Sequence, residues 1–363
     1  MIKRLGRYLK DKRLELNVGK TKIIRFRKGG GKNKEAEWRW NKEKIEEVKE
    51  FKYLGYTMQK NGGQEAHIRE VTKRATAAMG QVWGIGKRKF GGDWKRRMKL
   101  FVALVRSIMG YGAEIWGWEE RERVERVQER YIRWTLGVDW RTPGYLVREE
   151  GKKEKVRTWA GRRAWRFEER LRKGQGTEIA RACLKEVEEK ERGKGSRWEE
   201  GRRRFFEERG YAWEEVKRLQ EEGIDMEERL EDRDRKVQEQ EAGGKIRESR
   251  YNKWYKEIRT EGTPRYLKER GKEKRIRAIA RFRLGNEMRE GRYWESEEER
   301  KCRMCGGEVE SWEHVLERCE NEGSRWERGK VLELLHEKGG GYEWMKELME
   351  KRKEKMGREW ECE

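Results

Sequence analysis

The spacing of hydrophobic and polar positions changes near residue 64, from short apolar runs to a helical period. Before that point, apolar residues between basic ones predict short strands at residues 20–28, around Trp38 and Trp40, and in the segment 45–58. A helical period at residues 1–16 predicts an amphipathic helix, and a Gly/Lys-rich loop is expected from Gly29 to Lys34. The first part of the chain is therefore predicted to hold a small antiparallel sheet.

After residue 64, apolar residues recur every three or four positions and predict helices at residues 65–83, 93–109 and 119–136. Thr142-Pro143 predicts a break, because the residue before a proline avoids the helical conformation. Residues 146–190 and 197–240 are so rich in charge that Glu–Lys and Glu–Arg pairs would support these helices without a core. Linkers are expected at residues 193–196 and 238–244. The predicted fold class is mainly α with a small antiparallel β-sheet.

Composition changes this picture in two ways. Charged residues are 45% of the 363 and hydrophobic residues 33%, so elongated helical parts are expected beside any compact core. No apolar run approaches the length of a membrane span and no signal peptide opens the chain. We therefore expect an intracellular protein, nuclear or cytoplasmic, whose thiols stay reduced and are free to bind metal.

Positive charge is concentrated at the start of the chain. Residues 1–110 hold 30 Lys and Arg against 11 Asp and Glu, which is +19 of the total net charge of +23. The rest of the chain alternates signs, as a solvated helical surface does. A concentrated positive field favours a polyanionic partner.

Four residues near the C-terminus have the spacing of a metal site, C-x2-C-x8-H-x4-C: Cys302, Cys305, His314 and Cys319. Three thiolates and one imidazole fill the tetrahedral shell that Zn²⁺ prefers, so structural zinc is the expected cofactor. The glycines at 306 and 307 allow the tight turn that follows the second thiol. The alternative is a set of unrelated thiols on a charged surface.

Several segments, in this order, resemble the C-terminal part of non-LTR (LINE-type) retrotransposon reverse transcriptases. They are Leu14-Glu15-Leu16-Asn17-Val18-Gly19-Lys20-Thr21-Lys22, similar to palm motif D; Phe51-Lys52-Tyr53-Leu54-Gly55, similar to the motif E primer grip; Tyr111-Gly112-Ala113-Glu114-Ile115-Trp116; Thr142-Pro143; Arg281-Phe282-Arg283-Leu284-Gly285; Tyr293-Trp294; and the Cys/Cys/His/Cys knuckle. The resemblance spans roughly residues 1–325. It implies a partial palm at 1–63, a helical thumb at 64–141, a charged helical connector at 142–295, the knuckle at 296–325 and a charged helical tail at 326–363.

The polymerase of that family uses two metal ions held by palm aspartates, and this chain contains no Asp-Asp pair. In the family the catalytic hairpin lies just before the helix with which this chain starts, so we expect that Met1 is not the original start. Mg²⁺ would belong only to the full-length enzyme. The resemblance implies that this chain binds an RNA template and a DNA primer without polymerising, with no membrane and no small-molecule substrate as partner.

The resemblance and the charge pattern together give the candidate site residues. Lys20 is the candidate general acid for the leaving pyrophosphate, although an exposed strand lysine is the preferred interpretation for this chain alone. Candidate nucleic-acid contacts are Lys20, Lys22, Tyr53, Gly55, Arg69, Lys73, Arg74, Arg303 and Trp312. For Tyr53 and Gly55 the alternative is a hairpin core, and for the thumb cations a solvated helix face. Arg303 and Trp312 are proposed to stack on bases, whereas Trp116, Trp118, Trp134 and Trp140 are expected in the core.

Two other functions stay open at this point. One is a non-enzymatic, zinc-dependent nucleic-acid-binding protein that works through the basic region and the knuckle. The other is a decayed remnant of the element with no role.

Overall fold

A computed structural model describes residues 2–26, 37–190, 197–224, 226–319 and 330–360. The predicted loop from Gly29 to Lys34 and the predicted linker at 193–196 lie outside these ranges. The chain divides into two compact units, Met1–Arg74 and Ala75–Glu363. The finer predicted division into five regions stays a prediction.

The first unit holds all the strands of the described chain. They are β1 (Lys22–Ile23), β2 (Trp38–Trp40), β3 (Glu43–Glu47), β4 (Glu50–Tyr53) and β5 (Tyr56–Gln59). β3 lies in the centre of a three-stranded sheet, antiparallel to β2 and parallel to β1, while β4 and β5 form a separate antiparallel hairpin. The small sheet is therefore confirmed, with one parallel pair that the sequence did not predict.

Two helices flank these strands in the first unit. α1 (Ile2–Asp11) buries none of its side chains, and α2 (Glu65–Phe90) begins after the β4–β5 hairpin. Ile45 on β3 and three side chains at the start of α2, Ala66, Ile68 and Val71, are at most 3% exposed. The helical period at residue 65 thus marks the side of α2 that covers the small core.

The second unit is helical throughout its described part. Its helices after α2 are α3 (Trp94–Leu100), a π-helical segment (Phe101–Arg106), α4 (Ser107–Met109), α5 (Ala113–Trp116), α6 (Glu122–Leu136), α7 (Gly144–Gly151), α8 (Val156–Arg172), α9 (Glu178–Lys190), α10 (Arg197–Glu207), α11 (Trp213–Glu221), α12 (Met226–Arg247), α13 (Tyr255–Ile258), α14 (Arg265–Lys268), α15 (Glu273–Arg283), a 3-10 turn (Glu298–Arg300), a π-helical segment (His314–Arg318), α16 (Lys330–Leu334) and α17 (Tyr342–Trp360). The mainly helical fold class is confirmed.

The charged helices have a core of their own, which corrects the expectation that side-chain ion pairs alone support them. Trp118, Trp165, Phe205 and Phe206 pack together at the centre of this core. Buried ion pairs accompany this core; Arg202 and Glu168, for example, lie 2.8 Å apart with both side chains at most 3% exposed. The apolar residues are few but large, and they come from segments far apart in the sequence.

Two further expectations are corrected in the same unit. Residues 238–244 are not a linker, because α12 runs through them without interruption. The tail is not merely a charged helix, because Met345 and Leu348 of α17 are fully buried and α17 packs on α15. Among the described residues, no helix is both long enough and apolar enough to cross a membrane.

Candidate metal centre and basic surfaces

The four residues of the C-x2-C-x8-H-x4-C pattern converge on one point. One ligand atom from each of Cys302, Cys305, His314 and Cys319 lies within 4.8 Å of all the others. Cys302 Sγ is 3.9 Å from Cys319 Sγ, and Cys305 Sγ is 3.2 Å from His314 Nε2. The cluster can hold a metal ion, as the spacing predicted.

A tight backbone turn places the first two thiols. Gly306 N donates to Cys302 O at 2.8 Å, and Met304 N donates to Cys302 Sγ at 3.4 Å. Gly306 has a φ of +71°, a left-handed conformation that a side chain would strain. Lys301 and Val309 close the turn as an antiparallel bridge, so the glycine predicted to form the turn does so.

A short helical segment places the other two ligands. Ser311 Oγ accepts a hydrogen bond from His314 N at 3.0 Å, which fixes the start of the π-helical segment His314–Arg318. Cys319 N then donates to His314 O at 2.7 Å, and this wide turn returns Cys319 to the side of the histidine. Glu308 Oε2 lies 3.5 Å from His314 Nδ1, on the side of the ring that faces away from the thiols.

The donor set fits a tetrahedral thiophilic ion. Zinc–sulfur bonds of ~2.3 Å imply a tetrahedral edge of ~3.8 Å, close to the Cys302–Cys319 separation of 3.9 Å. Three cluster residues are buried and Cys305 is half-buried. Burial raises the pKa of the Cys302 thiol to about 12, with a further contribution from Cys319. A metal cation at the centre would stabilise the thiolate forms, which burial alone disfavours. Four protein ligands leave no open position, so such a site is structural.

The two side chains proposed to stack on bases are engaged inside the protein instead. Trp312 is 2% exposed and stacks on Trp344 with ring centroids 5.8 Å apart, and the Phe282 ring packs against both tryptophans. Arg303 donates to Glu310 Oε2 at 2.8 Å and to the Glu287 backbone oxygen at 2.5 Å. Trp312 has no face open to a base, which corrects that candidate, whereas Arg303 is half-buried and its role in base stacking stays a prediction.

A buried layer of charge joins the metal centre to the rest of the second unit. Glu310 is fully buried and lies 2.9 Å from Arg352 Nη2 of α17. Arg352 also lies 3.4 Å from Glu287 Oε2. Although burial opposes ionisation, Arg281, Arg352 and Arg303 outweigh it and the pKa of Glu287 is lowered. The knuckle is therefore an integral part of a larger helical body.

Among the candidate cations of the first unit, Lys22, Arg69 and Arg74 contact acceptor groups of the protein, and Lys20 and Lys73 are exposed. Lys22 lies 2.5 Å from Glu46 Oε2, and Arg69 donates to both carboxylate oxygens of Glu50 at 2.9 and 3.0 Å. Arg74 lies 3.5 Å from Glu70 and 3.5 Å from the Gly55 backbone oxygen. Exposed pairs such as Arg69–Glu50 are weak, so a phosphate can replace the carboxylate.

The predicted primer-grip segment is a hairpin with an unusual turn. Tyr53 pairs with Tyr56, so Leu54 and Gly55 are the two turn residues, with φ of +45° and +83°. Two positive φ values mark a type I′ turn, which favours Asn-Gly because a leucine is strained there. Leu54 is 78% exposed and Tyr53 is exposed, so the turn presents an apolar tip to solvent.

Exposed cations without an ion-pair partner in the described structure lie at the start of the chain. In the described part of the structure, these seven side chains are exposed and form no ion pair: Lys3, Arg4, Arg7, Lys10, Lys12, Arg13 and Lys20. The two acids among residues 2–26, Asp11 and Glu15, are exposed too. These seven positive charges are thus presented to solvent.

Some sequence expectations for single residues are also corrected. Trp116 and Trp118 are buried as expected, whereas Trp134 is 37% exposed and Trp140 is 74% exposed. Arg97, in the basic first part of the chain, is 1% exposed and lies over the Trp83 ring at 4.2 Å.

The other described cysteine and histidines take no part in the metal cluster. Cys183 and His336 are exposed, and Cys362 lies outside the described residues. His67 is fully buried, stacks on Tyr56 at 4.0 Å and accepts a hydrogen bond from Thr57 N. His67 therefore has a packing role in the first unit.

Comparisons of this chain with protein-family models, with curated proteins and with solved structures found no match.

Proposed function

We propose that this chain binds nucleic acid, as the template–primer-holding part of a LINE-type reverse transcriptase without its catalytic aspartates. The observation that carries the proposal is the set of exposed cations from Lys3 to Lys20, which pair with no carboxylate in the described structure. Elsewhere the same residue types are paired, as in Arg172–Glu188 at 2.8 Å. Unpaired surface cations hold no internal partner that a phosphate must displace.

Counterion release supplies the driving force for this binding. Each lysine or arginine that meets a phosphate frees a condensed cation from the nucleic acid, so affinity grows with the number of contacts and falls with salt. Such contacts position a duplex and carry no sequence information. We therefore propose a sequence-independent grip on a template–primer.

Two local features support the assignment to the reverse-transcriptase family. The F-x-Y-L-G segment folds as a hairpin whose strained tip, Leu54-Gly55, is exposed. The Lys-Thr-Lys segment follows an Asn17 turn, in which Asn17 accepts from Lys20 N at 3.0 Å, and leads into β1. Backbone strain held at an exposed tip is typical of functional positions.

We further propose that the Cys/Cys/His/Cys cluster holds zinc with a folding role. Trp312 is buried, and the half-buried Arg303 donates to Glu310, so both recognition candidates of the knuckle contact the protein itself. Metal binding would then stabilise the second unit and leave nucleic-acid contact to other surfaces. Reduced thiols fit an intracellular setting, nuclear or cytoplasmic.

The binding proposal is tested with a fluorescent RNA–DNA template–primer and fluorescence anisotropy. The test variant replaces Lys3, Arg4, Arg7 and Lys10 by Gln on α1. We expect its dissociation constant to rise about tenfold or more, since four phosphate contacts are lost.

A matched control separates this surface from net charge alone. It replaces Arg203, Arg218, Arg235 and Lys236 by Gln, which are 59–66% exposed and each lie within 4 Å of a carboxylate. The control should bind nearly as the unchanged chain does. Equal weakening in both variants, or no binding by the unchanged chain, contradicts the proposal.

The zinc proposal is tested by the metal content of the purified chain. We expect one zinc per chain, none in the Cys302→Ser/Cys305→Ser variant, and one in Cys183→Ser, which alters an exposed thiol outside the cluster. Cobalt substitution should give the absorption of a tetrahedral thiolate site. Equal metal content in all three chains contradicts it. With template–primer, nucleotides and Mg²⁺ we expect no primer extension, because the chain has no aspartate pair to hold the two ions.

A further inference from the structure

A column of aromatic rings and one guanidinium lies on the second unit and runs from a buried ring to an exposed one. Tyr251 and Trp294 stack with centroids 5.8 Å apart and planes 12° from parallel. Arg141 follows, 5.7 Å from the Trp294 ring and 4.8 Å from the Trp140 ring. The column thus runs from Tyr251 through Trp294 and Arg141 to Trp140.

Exposure increases along this column. Tyr251 is 6% exposed, Trp294 38% and Trp140 74%, and the neighbouring Tyr293 is 67% exposed. Large aromatic rings rarely cluster in solvent unless they meet a partner. The outer face of Trp140 is therefore the open end of a stack that begins in the core.

The open end is held by a defined turn. Thr142 N donates to Asp139 O at 3.1 Å, so Trp140 and Arg141 are the central residues of a β-turn. Asp139 Oδ1 also accepts from Arg141 N at 2.7 Å. Asp139 N donates to Asn286 Oδ1 at 2.5 Å, which ties the turn to the segment after α15.

The buried end is held as firmly. Asn286 Nδ2 donates to Tyr251 OH at 3.2 Å, so the same amide side chain fixes both ends of the column. Gly291 lies against the Tyr251 backbone, where a Cβ would come within 1.9 Å of the oxygen. Rings ordered before binding lose little further freedom when a ligand stacks on them.

We propose that this column, Tyr251–Trp294–Arg141–Trp140, is a stacking site for unpaired nucleobases of single-stranded nucleic acid. The inference rests on the proposed function and adds a second kind of contact to it. Bases have a flat π-face that stacks on indole without regard to sequence, and a guanidinium between two indoles strengthens such stacks. Asp139 Oδ1 accepts from the Arg141 backbone N, Glu295 pairs with Arg292 at 3.2 Å, and the Arg141 guanidinium forms no ion pair within the described part of the chain. The guanidinium can therefore meet an anionic backbone.

Two oligonucleotides of equal length separate stacking from phosphate contact. One is a single-stranded oligothymidine and the other carries abasic sites in place of the bases, so both present the same phosphates. We expect the unchanged chain to bind the oligothymidine about tenfold more tightly than the abasic strand. Trp140→Ala should remove that preference while its affinity for the abasic strand stays the same.

Two control variants make the outcome specific. Trp140→Phe keeps an aromatic face and should retain most of the preference. Ile179→Ala removes a comparably exposed apolar side chain, 78% exposed, and should leave the preference unchanged. The same pair of strands built with ribose shows whether the site prefers RNA.

Failure of this inference differs from failure of the proposed function. Equal affinity of the unchanged chain for both strands, or a preference that survives Trp140→Ala, overturns the stacking site and leaves the phosphate grip intact. Absence of binding to either strand overturns both.

Discussion

Glu150 and Arg283 are 133 positions apart in sequence and meet in a buried ion pair, with Arg283 Nε 2.6 Å from Glu150 Oε1. Both side chains are at most 1% exposed. Tyr255 and Tyr266 donate their hydroxyls to the same carboxylate at 2.8 and 2.7 Å. Burial alone would raise the pKa of Glu150, but Arg283 and the two tyrosines outweigh it, and that pKa is lowered. This pair joins α7 to α15.

Replacement of Glu150 by Gln should destabilise the protein. The amide keeps the shape of the side chain, but it leaves the Arg283 charge buried without a counter-charge. Breaking one partner of a buried pair costs about 3–5 kcal/mol. Urea unfolding followed by circular dichroism measures the loss. Glu122→Gln is the control. Glu122 is 75% exposed and its partner Arg126 63% exposed, so their ion pair contributes about 1 kcal/mol or less to stability. Similar losses in the two variants contradict this account of the core.

Glu125 should make stability depend on pH. Burial, against the attraction of Arg148, raises the pKa of Glu125 to about 7 from 4.5. The folded state thus keeps a proton that the unfolded state releases. The stabilisation is present below about pH 4.5 and is lost as pH rises through about 7, by an amount on the order of 3 kcal/mol.

The difference in unfolding free energy between pH 5 and pH 8 measures this effect. In Glu125→Gln that difference should shrink by most of the same amount, because the amide does not titrate. Glu122→Gln should keep the unchanged chain's pH dependence. An unaltered pH dependence in Glu125→Gln would rule out the assignment.

Replacing Leu54 should stabilise the first unit and weaken the binding of template–primer. A leucine at a φ of +45° is strained by about 1–2 kcal/mol, and its side chain is largely exposed. Leu54→Asn should therefore raise the unfolding free energy of the first unit by about 1 kcal/mol. If the hairpin tip meets the primer, as proposed, template–primer affinity should fall in the same variant. Gly55→Ala, at a φ of +83°, is the opposite control and should destabilise. A less stable Leu54→Asn variant contradicts the prediction.

Trp312 separates a packing role from a recognition role. Trp312→Ala should cost about 3–5 kcal/mol, because the ring is buried in a cluster with Phe282 and Trp344. Trp312→Ala should also release metal to a chelator more readily than the unchanged chain does. Trp312→Phe should show a smaller increase in metal release than Trp312→Ala. Thermal unfolding and chelator competition measure both effects. An unchanged melting temperature together with weaker nucleic-acid binding would restore Trp312 as a base-stacking residue.

The metal cluster was predictable from sequence because its spacing encodes its geometry. A C-x2-C turn and an H-x4-C helical turn are local, so each half folds with few long-range contacts, and Gly306 marks the turn that follows the second thiol. The start of α2 at residue 65 was predictable for a similar reason, since the helical period begins there.

What the sequence could not show depends on contacts between distant segments. Trp312 looked available because its partner Trp344 belongs to a tail that had no recognisable motif. Arg303 looked available because its partner Glu310 is held by Arg352 of the same tail. The signal was the apolar pair Met345 and Leu348, one turn apart on α17. Trp140 looked like a core residue because it follows a helix, but a turn points it to solvent.

The salt dependence of template–primer affinity tests the central claim most directly. The logarithm of the association constant should fall linearly with the logarithm of salt concentration, by about 0.7–0.9 for each phosphate contact. Replacing Lys3, Arg4, Arg7 and Lys10 by Gln should reduce that slope by about 3. The control at Arg203, Arg218, Arg235 and Lys236 should keep the slope of the unchanged chain. Equal slopes for the unchanged chain and the α1 variant would contradict a phosphate grip by these residues.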